Sequence, residues 1–268
     1  MNELNIMTWN IRGSASLGWD SSYTLSPKLI EEIFRTDADV MVLTEFVAAP
    51  GLDDLLGALR QKGYLWLSAN ASGKNGILMA VRRELVNAQQ LKQNIYSSSA
   101  LFSTLNGCNL LRAELPLQSG ALLTVLGCRM ETGAAQNLTA QYNEQRRCFD
   151  RILLPAVLPA RTHRLFIVCG DFNNARCLAS LQRPFDPNDY LGRAQCNYNL
   201  NLIKDAFYAR GFHMADQTDA GQPIATHTKG TMAFPLDHIF VRGLTPVHCG
   251  VRPSACSDHA ILWAKCTL

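Results

Sequence analysis

Short apolar runs recur from one end of this chain to the other, and several break off at an acid, an amide or a histidine. Val40-Met41-Val42-Leu43 stops at Thr44-Glu45, and Leu165-Phe166-Ile167-Val168-Cys169 runs into Gly170-Asp171-Phe172-Asn173. Runs of this length without polar interruption read as strands covered on both faces, because a strand with one wet face would alternate. Leu4 to Trp9, Tyr64 to Leu67, Gly76 to Val81, Leu110 to Leu115, Ala121 to Leu126, Leu236 to Val241 and Ala260 to Lys265 extend the series. Helical spacing falls between them. Ser26-Pro27 precedes Leu29, Ile30, Ile33 and Phe34, which reads as a capped helix with proline in its first turn. Asp53 to Lys62 stops at Gly63, Thr139 to Leu154 carries Tyr142, Cys148, Phe149, Ile152 and Leu153 on one side, and Asn201 to Arg210 stops at Gly211. Many strands with helices between them predict sheets packed together with helices outside.

Composition narrows the class. With 47% hydrophobic and 18% charged residues among 268, the chain has material for a core and too little charge for disorder. No linker, repeat or shift in composition appears, so residues 1–268 are expected to form one domain. The nine cysteines include no CxxC pair, which leaves a zinc cluster or a thioredoxin-like motif unsupported. The opening MNELNIMTWNIRG has no basic region and does not read as a secretory signal, and no apolar run reaches membrane-spanning length. A cytoplasmic protein with reduced cysteines and no membrane partner is the expectation.

A polar residue at a strand end is commonly a turn former or a cap. Five such places in one chain read instead as loops converging on a site. Thr8-Trp9-Asn10-Ile11-Arg12, Val42-Leu43-Thr44-Glu45, Gly170-Asp171-Phe172-Asn173, Leu236-Asp237-His238-Ile239 and Ser257-Asp258-His259 stand in order along nearly the whole chain. Together they resemble the endonuclease/exonuclease/phosphatase superfamily, and Gly-Asp-Phe-Asn is the most specific of the five strings. The resemblance implies a four-layer α/β sandwich of two packed mixed sheets with helices on the outside. It also implies a divalent-metal phosphoesterase that uses Mg²⁺, with Mn²⁺ as an alternative. Carboxylate and amide oxygens suit such a hard cation.

By the same resemblance, Glu45 is the principal metal ligand, with Asn10 beside metal and phosphate and Asp258 a second metal-side carboxylate. Asp171 would orient or deprotonate the attacking water. Asn173 would hold that water and a phosphate oxygen. His259 would contact the scissile phosphate, with Asp237 accepting its other ring N–H; the plain alternative is a satisfied buried histidine. One position departs from the family pattern. Most members carry a second histidine at the end of the central strand, where this chain has Leu126-Gly127-Cys128-Arg129-Met130. Arg129 can bind phosphate bidentately but cannot shuttle a proton; a surface arginine is the other reading. His163, His213, His227 and His248 lie outside the motifs, and His227 has some claim because it precedes the Asp237 strand.

Net charge is +3, and its whole excess lies between Arg129 and Arg193, a window of nine arginines, no lysine and six acids. Arg146, Arg147 and Arg151 fall on the expected helix, while Arg176, Arg183 and Arg193 lie in the irregular stretch after Asn173. Such positions suit phosphate-backbone contacts, so a nuclease acting on DNA or RNA is the first expectation. A phosphatase or phosphodiesterase acting on a small-molecule, phospho-inositide or lipid substrate is the second. A binding module that has lost catalysis is the third, and Arg129 is its only support.

Overall fold

The computed structural model describes residues 3–13, 23–69, 76–87, 95–97, 108–130, 147–157, 165–173, 200–229 and 232–268. In chain order its strands are β1 (Glu3–Asn10), β2 (Val40–Phe46), β3 (Tyr64–Ala69), β4 (Gly76–Arg82), β5 (Ile95–Ser97), β6 (Cys108–Pro116) and β7 (Leu122–Met130). They continue with β8 (Leu165–Asp171), β9 (His213–Met214), β10 (His227–Lys229), β11 (Met232–Phe234), β12 (Asp237–Arg242), β13 (Thr245–Arg252) and β14 (Ile261–Thr267). The helices are α1 (Pro27–Ile33), α2 (Leu52–Gln61), α3 (Leu154–Val157), entered through a π-helical turn at Phe149–Leu153, and α4 (Leu200–Tyr208).

Two mixed six-stranded sheets result, in the orders β13-β14-β1-β2-β4-β3 and β5-β6-β7-β8-β12-β9, with β10 and β11 as a separate hairpin. Period two decides the layering, because successive side chains leave a strand on opposite faces. Leu4, Ile6, Val40 and Val42 from the first sheet meet Leu111, Val125, Ile167, Cys169 and Ile239 from the second in a core between the sheets. The intervening residues Met7, Trp9, Met41 and Leu43 face the other way and pack under Leu29 and Ile33 of α1 and Leu55 and Leu59 of α2. On the far side, Phe166, Val168 and Phe240 lie under Phe149, Leu153, Val157, Ile203 and Phe207. Helix, sheet, sheet, helix is the four-layer sandwich expected, and it explains why the central strands show no wet face.

Local signals match their expected roles. Ser26 caps α1, its Oγ accepting from Leu29 N at 3.2 Å, with Pro27 in first place. Cys148, Phe149 and Leu153 are buried as expected, whereas Tyr142 lies outside the described residues. Cys128, Cys148, Cys169, Cys249, Cys256 and Cys266 are free thiols. Among the described residues no helix is long and apolar enough to cross a membrane.

Several strands carry no sequence signal, among them the three-residue β5, the two-residue β9 and, before Ser257, the eight-residue β13. As an edge strand it is largely exposed, carries Pro246 and breaks register between Pro246 and His248, so it shows no apolar alternation. The hairpin β10-β11 was also missed, its strands being only three residues each.

Gly170 lets two strands come together at the end that matters. Its φ is +145°, and a Cβ there would sit 1.9 Å from the Cys128 carbonyl oxygen. No other residue type fits without moving β7 away from β8. Gly170→Ala is expected to cost about 3 kcal/mol or more, measured by urea unfolding; wild-type stability would contradict the close approach.

Candidate active site

Strand register brings the polar residues to one rim. Across β7, β8 and β12, Arg129 lies opposite Asp171, and Asp171 opposite Asp237. In the other sheet, Asn10 ends β1 beside Thr44 of β2, and Glu45 follows within β2 at a register break with φ +52°. A left-handed backbone in mid-strand is costly for a residue other than glycine. Here it turns the Glu45 carboxylate to the rim. Asn173 is also left-handed, with φ +47°, and the buried Phe172 between it and Asp171 anchors the turn. Phe172 packs edge-on to Phe207 and Phe240, and its N–H donates to Leu236 O at 2.8 Å.

One amide joins the two sheets. Asn10 Nδ2 donates to Glu45 Oε1 at 3.0 Å and to Asp171 Oδ2 at 2.9 Å. Arg129, only 9% exposed, reaches the same two groups: its Nη2 and Nε lie 2.6 and 3.2 Å from Glu45 Oε1, and Nε lies 3.3 Å from Asp171 Oδ2. Its Nη1 donates to the Met130 carbonyl. The guanidinium therefore stands inside the site rather than on the surface, turned onto carboxylates. Asn173 completes the shell around Asp171, with its backbone N–H on Oδ1 at 2.9 Å and its Nδ2 on Oδ2 at 3.0 Å.

The histidine arrives from the last loop. His259 Nδ1 lies 2.7 Å from Asp237 Oδ2. Its backbone is pinned on both sides: its N–H donates to Ser257 Oγ at 3.1 Å, and its carbonyl accepts from Trp9 Nε1 at 3.0 Å. Ser257 Oγ in turn donates to the Asn10 carbonyl at 2.7 Å, which ties the loop to β1. Thr226 Oγ1 accepts from the N–H groups of Leu236 and Asp237, fixing the start of β12. Asp258 points away from Asp237, towards Arg12 Nε at 3.8 Å and His227 Nε2 at 3.6 Å.

Burial and charge set the protonation states. Burial raises the Asp171 carboxyl above the usual range, an effect that Arg129 opposes and the Asp237 charge reinforces. Burial would raise Glu45 too, but the charge and hydrogen bonds of Arg129, with the Asn10 amide, hold it below its ordinary value. His259 is the reverse case: burial alone would lower it, and Asp237, with Asp171 and Asp258 behind, lifts it to about 9. Asp258 is held down at about 2, by His227 first and then, against its own burial, by His259 and Arg12.

Asn10, Glu45, Arg129, Asp171, Asn173, Asp237, Asp258 and His259, expected from the sequence, thus all fall at this rim. Among the described residues two groups have ligand atoms close enough to share a cation: Asp171 with Asp237 and His259, and His227 with Asp258 and His259. Glu45 lies in neither. His227 was ranked low by sequence because it stands in no motif; its position just before the Asp237 strand was the one usable signal. Trp19, Arg146, Arg176, Arg183 and Arg193 lie outside the described residues, while Arg147 and Arg151 are exposed in the outer helical layer.

A family model described as the endonuclease/exonuclease/phosphatase family matches residues 7–259. The chain belongs to that family. Its members are phosphoester hydrolases, generally dependent on a divalent metal. No curated protein sequence matches. Among solved structures, humanized D. rerio TDP2 is 19% identical with a TM-score of 0.62, covering 99% of each chain. ANGEL2, a 2',3'-cyclic phosphatase, is 14% identical with a TM-score of 0.62 over 100% of this chain and 95% of its own. The 3' phosphatase NExo from Neisseria, bound to a product DNA hairpin, is 16% identical with a TM-score of 0.65 over 97% and 98%. At these identities the likeness is one of fold, and within that fold this family member places Arg129 between Glu45 and Asp171.

The His259–Asp237 pair gives a direct check in metal-free protein. A raised histidine pKa stabilises the fold fully below the unfolded value, near 6.5, and the gain is lost as pH rises through about 9. The His259 ring is expected to titrate near pH 9 by NMR, and Asp237→Asn to bring its midpoint down by more than a unit. An unshifted midpoint in Asp237→Asn would break the pairing.

Proposed function

We propose that this protein is a metal-dependent phosphodiesterase that hydrolyses nucleic acid, DNA or RNA, by in-line attack of water on phosphorus. One observation carries the reading: a buried carboxylate of raised pKa, Asp171, stands between a guanidinium and a histidine that Asp237 keeps charged. That is a base for a water molecule next to donors for a phosphate. Its nucleic-acid half is supported by the likeness of fold to NExo bound to a DNA hairpin and by the arginine excess around Gly170-Asp171. The fold likeness to ANGEL2, a 2',3'-cyclic phosphatase, supports a small phosphate ester as the second reading.

The donor set fits a hard divalent cation. Among the described residues every hydrogen bond that the Glu45 carboxylate accepts falls on Oε1, which leaves Oε2 available to a cation. Glu45 would hold Mg²⁺ or Mn²⁺ together with Asn10 and, by resemblance, Asp258. Such an ion supplies charge neutralisation at the phosphate under attack. The remaining work falls to the chain. Asp171 Oδ1, which accepts the Asn173 N–H, keeps a lone pair with which to take the proton of the attacking water. Asn173 and Asn10 hold Asp171 in that orientation. His259, its Nδ1 on Asp237, presents Nε2–H to a non-bridging phosphate oxygen and stabilises charge there. Arg129 keeps Asp171 and Glu45 from repelling each other and stays charged throughout.

Plasmid DNA, single-stranded DNA, RNA, a 2',3'-cyclic nucleotide and phospho-inositides, each with Mg²⁺, Mn²⁺ or EDTA, test this directly. Metal-dependent cleavage of at least one nucleic acid is expected, reduced at least about 10³-fold by Asp171→Ala or His259→Ala. Hydrolysis confined to small phosphates would overturn the nucleic-acid reading, and cleavage that survives both substitutions would overturn the roles. Nuclease activity should weaken with salt, since phosphate contacts release counterions. Arg129→Met removes the charge that lowers Asp171, so the acid limb of its pH–rate profile is expected to move to higher pH. A limb that stays in place, with wild-type rates, would put Arg129 outside the chemistry.

A further inference from the structure

His227 has no task in the mechanism above, yet it is built into the same rim. An isolated β-bridge ties its backbone to that of His259, and the two imidazole centroids are 4.7 Å apart. Its Nε2 is 3.6 Å from Asp258 Oδ2, too long for a hydrogen bond. Among the described residues its Nδ1, a buried atom, has no hydrogen-bond partner. The side chain as a whole is 18% exposed, and an ion at Nε2 would give that nitrogen the partner it lacks.

The distances suit such an ion. Ligands about 2.1 Å from a tetrahedral centre are separated by roughly 3.4 Å, close to the gap between His227 and Asp258. One ligand atom from each of His227, Asp258 and His259 lies within 4.8 Å of the others. His259 is already arranged for the part: Asp237 holds its Nδ1, and Nε2 ligates on giving up its proton to solvent. A carboxylate behind a ligating imidazole is the usual outer shell of such sites. Solvent reaches the place: the Asp258 side chain is 40% exposed, and Arg12 on its other side is more exposed still.

We propose that His227, Asp258 and His259 form a second cation site, sharing Asp258 with the first, for a borderline-soft divalent ion such as Zn²⁺. Two imidazole nitrogens and one carboxylate oxygen favour zinc over magnesium, whereas Glu45 and Asn10 offer oxygen alone. The site also has a consequence that rests on the proposed function. His259 Nε2 can face a phosphate or an ion but not both, so zinc filling this site inhibits the metal-supported hydrolysis.

Co²⁺ is the probe, titrated into the metal-free full-length chain and followed by visible absorption and calorimetry. Wild type is expected to bind Co²⁺ with the intense visible bands of a low-coordinate nitrogen–oxygen site. His227→Ala should weaken binding at least about tenfold and lose the bands, with near-UV circular dichroism unchanged. His227→Cys should bind again and add a thiolate-to-cobalt band in the near ultraviolet, which a merely structural role for His227 would not produce. Glu45→Gln should keep the spectrum. Octahedral, featureless Co²⁺ absorption in wild type, or binding unaltered in His227→Ala, would overturn the site. Zinc that binds through His227 but leaves hydrolysis untouched would confirm the site and remove His259 from the proposed chemistry.

Discussion

Like charge crowded into a buried place is the constraint around which this rim is arranged. Glu45, Asp171 and Asp237 come from three strands of two sheets, and in a dry setting they would repel one another or take up protons. Two internal cations prevent that. Arg129 binds Glu45 and Asp171 together, and His259 stays charged against Asp237. The Asn10 amide, donating to both Glu45 and Asp171, fixes the spacing across the sheet interface. Such buried pairs add little net stability compared with apolar packing, but losing one partner strands the other. What the arrangement secures is carboxylates held close together, with Glu45 kept charged by Arg129.

The rest of the fold supports that rim. The core between the sheets fixes how β1 and β2 face β7 and β8, so Asn10 can span them. Phe172, packed against Phe207 and Phe240, holds the turn that carries Asp171 and Asn173. Gly170 allows the carbonyl of Cys128 to approach, which keeps Arg129 level with Asp171. The left-handed backbones of Glu45 and Asn173 are strain carried where side chains must be aimed.

Much of this was legible in the amino-acid sequence. Strands buried on both faces announce themselves as unbroken apolar runs, and Asp171, Asn173, Glu45 and Asp237 stand where those runs begin or end. What a run cannot report is which distant residue will face it. That Asn10 bridges to Asp171, or that Arg129 turns onto carboxylates, depends on sheet packing and register. His227 was hidden for the same reason, since its relation to His259 is a bridge between segments some thirty residues apart. Strand β13 escaped because an exposed edge strand with a proline and a register break has no periodicity to read.

Arg129 holds Glu45 in place as one half of a buried ion pair. A double-mutant cycle on metal-free protein, with Arg129→Met, Glu45→Gln and the double variant compared by urea unfolding, measures it most directly. The two substitutions are expected to be coupled by about 2 kcal/mol, the double variant being less destabilised than the sum of the singles. Effects that add to within about 0.5 kcal/mol would mean the two side chains do not depend on each other and that no ion pair orders the rim.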